Sequence, residues 1–326
     1  MFESVISFIN RHQSFVLTTH DYPDVDGLGA ELILASILKK AGKNFRIINS
    51  SDVPVNLKFI EGSIKIEKYD REKHSECIEE SAMMILDTSD QNYLGTIKEA
   101  LKKTKEVFLF DHHEPKRKSK LSGFCDSTSV STCELAVEFA VFMDVELDLH
   151  AASAAYAGIV YDSGFFAYPK TSVRTFKAAI KTLEWGAAPH YIYKQLMENS
   201  SYAAMLLQKQ ALLNMEFHAG KKIAVIILRR EDYLLTGAEF EEAENIVNIP
   251  LKTKEVEVSL LIKENPEGDI RCSMRSKGFI NVSKIAHDFG GGGHLNAAGF
   301  RSSESIEEVL KKVLSDVEAH FKDERS

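Results

Sequence analysis

Hydrophobic and polar residues form alternating blocks along the first 187 residues, and these blocks predict strands interleaved with helices. Short apolar runs bounded by polar residues are typical of buried parallel strands, and longer segments with apolar residues at helical spacing predict helices. The predicted strands are Phe15–Thr19, Phe45–Asn49, Ile64–Tyr69, Ala82–Leu86 and Val107–Phe110, and the predicted helices are Phe2–Ile9, Leu28–Ala41, Asn92–Lys103, Ser129–Met143, Leu149–Val160 and Ser172–Trp185. Such alternation indicates a mainly parallel sheet.

A second, smaller α/β pattern occupies the end of the chain. The stretch Pro189–Phe217 has one long helical pattern, which we interpret as a connector. After it, the predicted strands are Lys222–Arg229, Glu255–Ile262 and Asp269–Arg275, and the predicted helices are Asn281–Phe289 and Ser305–Phe321. The sequence therefore predicts an α/β protein with a parallel-sheet domain at 1–187, a helical linker at 188–217 and a smaller α/β domain at 218–326.

Composition narrows the function classes. The 326 residues are 44% hydrophobic, which suits two globular domains, and the net charge of −8 argues against binding of long duplex nucleic acid. A small anionic ligand at a local site is still compatible with that charge. The four cysteines form no C-x-x-C pair, and neither a signal peptide nor a bilayer-spanning apolar run is present in the sequence. We therefore expect a cytoplasmic protein with reduced cysteines and no membrane association.

Acidic and imidazole side chains collect where the predicted strands and helices end. The apolar run at 107–110 ends in an Asp-His-His triplet, and three other apolar stretches are followed by acids. In open α/β sheets, ligands bind beyond the carboxyl ends of the strands. The alternative is a set of solvated polar turns. The candidate residues are His20, Asp24, Asp26, Asp87, Asp111, His112, His113 and Asp162, and a basic cluster follows the triplet at Lys116, Arg117, Lys118 and Lys120.

The chemistry of this set points to metal ions. Five carboxylates packed together would repel each other unless cations or protons balanced them. Carboxylates and imidazoles without thiolates suit Mn²⁺ or a similar ion rather than zinc-finger, iron–sulfur or Cu(I) sites. The set is large enough for two ions if one carboxylate bridges them. Pairs of metal ions are widely used to hydrolyse phosphate esters.

The second predicted domain contains a glycine run, Gly290–Gly293, that is followed by a histidine. Backbone N–H groups of such a run can approach an anion closely, although a flexible loop is the alternative interpretation. Arg275 lies on a predicted strand and offers a planar fork for a phosphate. The candidate residues for binding a phosphate or a base are Arg275, Gly291, Gly292, Gly293 and His294.

The spaced motifs together resemble the DHH phosphoesterase family. They are H-x-x-x-D-x-D at 20–26, the strand-ending acid at 87, D-H-H at 111–113 and the acid before Ser-Gly at 162. The segment 275–299, with R-S-K and G-G-G-G-H-x-N-A-A-G, resembles the DHH-associated substrate-binding domain. The compact two-domain form resembles the NrnA-type branch of bifunctional oligoribonucleases and 3′-phosphoadenosine-5′-phosphate (pAp) phosphatases.

The resemblance implies a role for each candidate residue. One metal ion would be bound by His20, Asp24 and Asp87, and the second by Asp26, Asp87, His112 and Asp162, so that Asp87 bridges. Two residues would serve catalysis without binding metal: Asp111 would orient a histidine and His113 would contact the scissile phosphate. The implied cofactor is a pair of Mn²⁺ ions, with Mg²⁺ or Co²⁺ as substitutes.

The resemblance implies hydrolysis of short oligoribonucleotides (nanoRNA), of dinucleotides such as pApA, or of pAp. A cyclic di-AMP phosphodiesterase is the alternative, and an inorganic pyrophosphatase or exopolyphosphatase is less favoured because the glycine run suits nucleotides. A non-catalytic nucleotide sensor is a further alternative, which the intact ligand set disfavours. A monomer and a homodimer are both compatible with the sequence.

Overall fold

The computed structural model describes residues 1–113, 121–265 and 268–323. The chain divides into two compact units, Met1–Asn199 and Ser200–Ser326. The two helices that follow residue 188 belong to different units: α7 (Pro189–Met197) lies in the first and α8 (Tyr202–Leu213) in the second.

The first unit is built on a six-stranded sheet in which every strand pairing is parallel. Its spatial order is β3-β2-β1-β4-β5-β6. The strands are β1 (Ser14–Thr18), β2 (Asn44–Asn49), β3 (Ile66–Lys68), β4 (Ala82–Leu86), β5 (Val107–Asp111) and β6 (Ser122–Cys125). The parallel sheet predicted from the apolar runs is confirmed.

Helices cover both faces of this sheet, which explains why its strands are apolar at consecutive positions. In β1, Phe15 and Leu17 enter the core on one face, while Val16 enters a smaller core on the other. The helices of this unit before α7 are α1 (Glu3–Arg11), α2 (Val25–Lys40), α3 (Arg71–Glu80), α4 (Thr132–Phe142), α5 (Leu149–Asp162) and α6 (Val173–Glu184). The larger core contains residues of α1, α2, α4 and α5, and α2 packs closely on α5.

The segment predicted as a helix at Asn92–Lys103 forms two 3₁₀ segments instead, Gln91–Tyr93 and Gly95–Lys102. Gly95, the first residue of the second segment, has a left-handed φ of 63°. The Ser50 hydroxyl also accepts a hydrogen bond from the backbone N–H of Ile97 at 2.9 Å. A tertiary contact therefore fixes a tighter helical geometry than the apolar spacing predicted.

The second unit contains a mixed six-stranded sheet in the order β11-β12-β10-β9-β8-β7. Its strands are β7 (Met215–His218), β8 (Ile223–Leu228), β9 (Val258–Glu264), β10 (Ile270–Ser276), β11 (Gly292–His294) and β12 (Ala297–Ser302). Beyond α8, its helices are α9 (Arg230–Thr236), α10 (Val282–Asp288) and α11 (Ile306–Asp323). Several stretches differ from the prediction: the end of the predicted connector is β7, the glycine run contributes the edge strand β11, and α9 and β12 were not predicted.

Candidate metal centre

The candidate residues of the first unit lie at the carboxyl edge of its sheet, around β1 and β4. These two strands are neighbours, yet the chain leaves β1 towards β2 and β3 and returns to β4 on the other side. Such a reversal of strand order opens a crevice that is the usual ligand site of an open α/β sheet. The loop after β1 and the residue after β4 therefore meet at this point.

The loop after β1 positions one histidine and two acids. Asp24 caps α2: its Oδ1 accepts hydrogen bonds from the N–H groups of Asp26 and Gly27, both at 3.0 Å. Its Oδ2 lies 3.6 Å from Nε2 of His20. The Nδ1 of His20 lies 3.1 Å from the carbonyl of Asp21, and a hydrogen bond there turns Nε2 towards the acids.

Asp87 is the most central of the acids, with 3% of its side chain exposed. It has a left-handed φ of 59°, and its N–H donates to the carbonyl of Phe110 at 3.1 Å. Its Oδ2 lies 3.7 Å from Nε2 of His20, whereas its Oδ1 lies 3.6 Å from Nε2 of His112. The two oxygens of one carboxylate therefore face two different histidines.

The Asp-His-His triplet places its members in different surroundings. The Oδ1 of Asp111 accepts a hydrogen bond from the backbone N–H of His113 at 3.1 Å and lies 2.7 Å from its Nδ1. Burial alone would lower the pKa of His113, but Asp111 and Asp87 raise it to about 9. The buried Nε2 of His112 has no hydrogen-bond partner among the described residues and lies 3.4 Å from Oδ2 of Asp162.

Asp162 is the last residue of α5, and the turn after it is tightly held. The hydroxyl of Ser163 donates to the carbonyl of Val160 at 3.1 Å and accepts from the N–H of Phe166 at 3.0 Å. Gly164, Phe165 and Phe166 all have left-handed φ values, which is a costly conformation for phenylalanine. The turn fixes the end of α5, and with it Asp162.

Six of the candidate residues form what we call the acid–histidine cluster: His20, Asp24, Asp26, Asp87, His112 and Asp162. Three sets of ligand atoms, each within 4.8 Å of one another, occur at this edge of the sheet: His20, Asp24 and Asp87; Asp26, His112 and Asp162; and Asp87, His112 and His113. The histidine–carboxylate separations in the first two sets are too long for good hydrogen bonds. They are close to the spacing of about 3 Å or more between two ligands of one octahedral ion.

The buried carboxylates of the acid–histidine cluster need positive charge to balance them. Burial raises the pKa of Asp26 and of Asp162 well above the usual range, and the neighbouring carboxylates raise both further. Burial opposes the charged form of His20, yet Asp24 and Asp87 raise its pKa well above the usual value. Without metal, protons must supply the missing charge. Divalent cations fit the cluster because they would replace those protons and use the unpartnered Nε2 of His112.

The beginning of α4 supplies contacts that sequence reasoning missed. The backbone N–H groups of Thr132 and Cys133 donate to the two carboxylate oxygens of Asp26 at 2.7 and 2.9 Å. The hydroxyl of Thr132 donates to Oδ1 of Asp87 at 2.8 Å. The spacing of Ser131 and Glu134 signals a helix start in the sequence. Nothing in the sequence indicates that this start faces acids about 45 and 106 residues away.

In the second unit, the structure describes part of the predicted substrate-binding set. Arg275 on β10 is half-buried and donates to the carbonyl of Met274 at 3.0 Å. Arg275 and His294 both register with Ala297 of β12, so their backbones lie in one row across three strands. The His294 side chain lies outside what the structure describes. Side chains at Gly291 and Gly293 would clash with β12, so packing alone requires glycine there, and Gly292 pairs with Gly299.

Two further expectations from the sequence concern the basic cluster and membrane-spanning helices. The basic cluster at Lys116, Arg117, Lys118 and Lys120 lies outside the described residues. Within the described ranges, no helix has both the length and the apolar character required to cross a membrane.

Two family models match this chain. Residues 14–161 match the DHH family, N-terminal domain, and residues 220–323 match the DHHA1 domain. The bifunctional oligoribonuclease and PAP phosphatase NrnA of Mycoplasma genitalium is 27% identical, over 95% of this chain and 96% of its own length. The cyclic-di-AMP phosphodiesterase PdeA of Listeria monocytogenes is 29% identical, over 99% of this chain and 50% of its own length.

Two further similar proteins differ in how much of their own length matches this chain. The chain spans 38% of the length of a membrane protein–ribosomal subunit bL9 fusion protein of Onion yellows phytoplasma, at 26% identity. The crystal structure of an exopolyphosphatase-related protein from Bacteroides fragilis superimposes with a TM-score of 0.90 at 26% identity, covering 98% of this chain and 96% of that one. The motifs, the fold and both domain matches agree, and the chain belongs to the DHH family, with a DHHA1 domain after its DHH domain.

Proposed function

We propose that this protein hydrolyses phosphate esters of very short nucleotides with two divalent metal ions bound at the acid–histidine cluster. The observation that carries the proposal is the orientation of Asp87. Its Oδ2 faces His20 and its Oδ1 faces His112, so one carboxylate can serve two neighbouring ions.

The ligands divide into two sets around that bridge. His20, Asp24 and Asp87 would bind the first ion, which is supported by the mutual proximity of their ligand atoms. Asp26, His112 and Asp162 would bind the second ion together with Asp87. The ligand atoms of the first three also lie within 4.8 Å of one another. Mn²⁺ is the proposed ion in both positions, with Mg²⁺ and Co²⁺ as substitutes, because the set combines carboxylates with imidazoles.

A bound pair of such ions would lower the pKa of water and neutralise charge that develops on the phosphoryl oxygens. The chain itself supplies orientation. Asp111 holds Nδ1 of His113 through a hydrogen bond of 2.7 Å, which fixes the plane of the imidazole ring beside Asp87. We assign His113 to contact the scissile phosphate and Asp111 to orient it, so both are proposed to serve catalysis rather than to bind metal.

Short nucleotides are the proposed substrates because the NrnA relative of Mycoplasma genitalium, which matches this chain nearly end to end, acts on them by name. The substrate-binding role is assigned to the DHHA1 domain, through Arg275, Gly291, Gly292, Gly293 and His294. Arg275 and His294 share a row of the sheet beside β12, which supports a common surface. The net charge of −8 favours a small substrate over long duplex nucleic acid.

A substrate panel tests the function. Metal-stripped protein would be assayed with Mn²⁺, Mg²⁺ or Co²⁺ on a 5-mer oligoribonucleotide, pApA, pAp, cyclic di-AMP, pyrophosphate and polyphosphate. We expect hydrolysis of at least one linear nucleotide, fastest with Mn²⁺, and none in excess chelator. Turnover of pyrophosphate or polyphosphate alone, or activity that survives complete metal removal, would refute the proposal.

A cyclic di-AMP phosphodiesterase is the second candidate, since a relative with that name is 29% identical over 99% of this chain. In the same panel, kcat/KM for cyclic di-AMP above that for pApA would favour it. A protein that binds nucleotides but hydrolyses none would instead be a sensor.

The remaining assignments are also proposals. We propose a cytoplasmic protein, which is supported by four free cysteines among the described residues. Size-exclusion chromatography with light scattering would distinguish a monomer from a homodimer. Limited proteolysis with mass spectrometry would test the predicted domain limits at 187 and 218.

A further inference from the structure

The beginning of α4 touches the two most buried carboxylates of the acid–histidine cluster at once. Thr132 is fully buried, and its hydroxyl donates to Oδ1 of Asp87 at 2.8 Å. The N–H groups of Thr132 and Cys133 donate to the two oxygens of Asp26 at 2.7 and 2.9 Å. One helix start therefore holds both the acid in the first turn of α2 and the acid that follows β4.

The Thr132 hydroxyl is not needed to cap its own helix. Ser131 is the N-cap, and its hydroxyl accepts from the N–H of Glu134 at 3.0 Å. The Glu134 carboxylate in turn accepts from the N–H of Val130 at 3.1 Å. The first turn of α4 thus has its own side-chain partners, and the bond from Thr132 to Asp87 serves a group outside the helix.

That bond determines how the Asp87 carboxylate is turned. Rotation about the last side-chain torsion of an aspartate is broad and weakly restricted by itself. A hydrogen bond to Oδ1 removes this freedom and keeps Oδ2 on the side of His20. Oδ1 can accept this bond and still use a second lone pair on the side of His112. The backbone of Asp87 is fixed independently by its bond to the carbonyl of Phe110.

We propose that Thr132 is a positioning residue that holds the Asp87 carboxylate in the orientation required to bridge two metal ions. This inference rests on the proposed function, because it assumes that the acid–histidine cluster binds metal. Outer partners of metal ligands commonly contribute 10- to 100-fold to metal affinity. Thr132 is expected to contribute within that range.

The test compares four proteins by titration calorimetry of the metal-stripped chain with MnCl₂. Thr132→Val keeps the shape of the side chain but loses the donor, and Thr132→Ser restores the donor. Thr175→Val is the matched control, because Thr175 is equally buried and its hydroxyl donates to a carboxylate outside the cluster, Glu134, at 3.1 Å. Circular dichroism verifies the fold of each variant, and Thr132→Ala replaces Thr132→Val if the latter does not fold.

We expect Thr132→Val to bind at least one Mn²⁺ about 10- to 100-fold more weakly than wild type, and Thr132→Ser to stay within about threefold. Thr175→Val should lose thermal stability but bind Mn²⁺ normally. Wild-type affinity and stoichiometry in Thr132→Val would overturn the inference while leaving the proposed function intact. An equal loss in Thr175→Val would overturn it too, since the effect would then be general. A wild-type protein that binds no divalent ion would refute both proposals.

Discussion

Gly158 lies where a helix packs directly against an acid of the acid–histidine cluster. It lies in α5 and is buried between α2 and α4. A Cβ at this position would lie 2.5 Å from Sγ of Cys133 and 2.9 Å from Oδ1 of Asp26. Both distances are shorter than a normal contact, so Gly158→Ala must displace the sulfur, the carboxylate or α5 itself.

Two opposing terms set the effect of Gly158→Ala on stability. Alanine in a helix interior is about 1 kcal/mol more favourable than glycine. Overpacking of a close-packed core typically costs about 1–3 kcal/mol. We expect the free energy of unfolding to fall by about 0–2 kcal/mol, which lowers the melting temperature of a unit of this size by about 2–4 °C for each kcal/mol. Metal affinity should suffer more, because Asp26 is displaced directly.

Gly29 offers a matched control on the same helix contact. A Cβ there would lie 2.6 Å from the same Cys133 sulfur and 2.9 Å from the carbonyl oxygen of Ala154, and its three nearest atoms include none from an acid of the cluster. Melting curves and Mn²⁺ titrations of both alanine variants separate the effects. We expect both to melt lower, and Gly158→Ala alone to bind one ion at least about tenfold more weakly. Equal metal affinity in the two variants would contradict the reasoning.

Four further variants give testable predictions. Asp87→Asn keeps a residue type that tolerates a left-handed φ. It should abolish binding of at least one Mn²⁺, measured by calorimetry, and lower turnover by several orders of magnitude. Normal turnover would refute the proposal that Asp87 bridges two ions. Arg275→Ala should lower kcat/KM for pApA roughly ten- to hundredfold and leave bis-p-nitrophenyl phosphate unaffected, because the small ester needs only the metal centre; equal losses on both esters would refute the binding role. His294→Ala should behave in the same way. Arg46 holds the pKa of Glu67 at about 2, below its unfolded value, so the pair stabilises the fold above about pH 4.5 and loses this contribution as the pH falls towards 2. Glu67→Gln should therefore lower stability at pH 7 by about 1 kcal/mol and flatten its acid dependence in urea titrations, and an unchanged slope would contradict the assignment.

The elements that the sequence predicted best are those whose burial leaves a simple pattern. β4 was predicted at Ala82–Leu86 and is observed with the same limits. Its residues are buried on both faces, so five consecutive apolar side chains are required, and the first polar residue is the one beyond the sheet. The same physics brings acids to strand ends and gathers them at one edge. The positions of Asp87 and Asp111 therefore followed from the sequence.

The elements that were missed depend on pairing with a neighbouring strand rather than on their own hydrophobic pattern. Met215–His218 continued a helical pattern, yet it forms β7 because the neighbouring strand β8 offers an antiparallel edge. The glycine run suggested a loop, but it pairs with β12 across distances that only glycine permits. In both cases, pairing with the adjacent strand outweighs the weak conformational preference of the segment itself.

Other parts of the chain position the acids of the acid–histidine cluster. The site is therefore defined by more than the types of its ligands. Asp24 caps α2, and Asp26 accepts two N–H groups of α4. Asp87 accepts from Thr132, and Asp162 closes α5 at a strained turn. These bonds hold the carboxylates of Asp24, Asp26 and Asp87 in place, while burial, and then repulsion between neighbouring carboxylates, raises the pKa of Asp26 and Asp162. This fold places carboxylates close together and uses helix ends to hold them there. An uncharged core would need neither feature, so the arrangement is suited to cations.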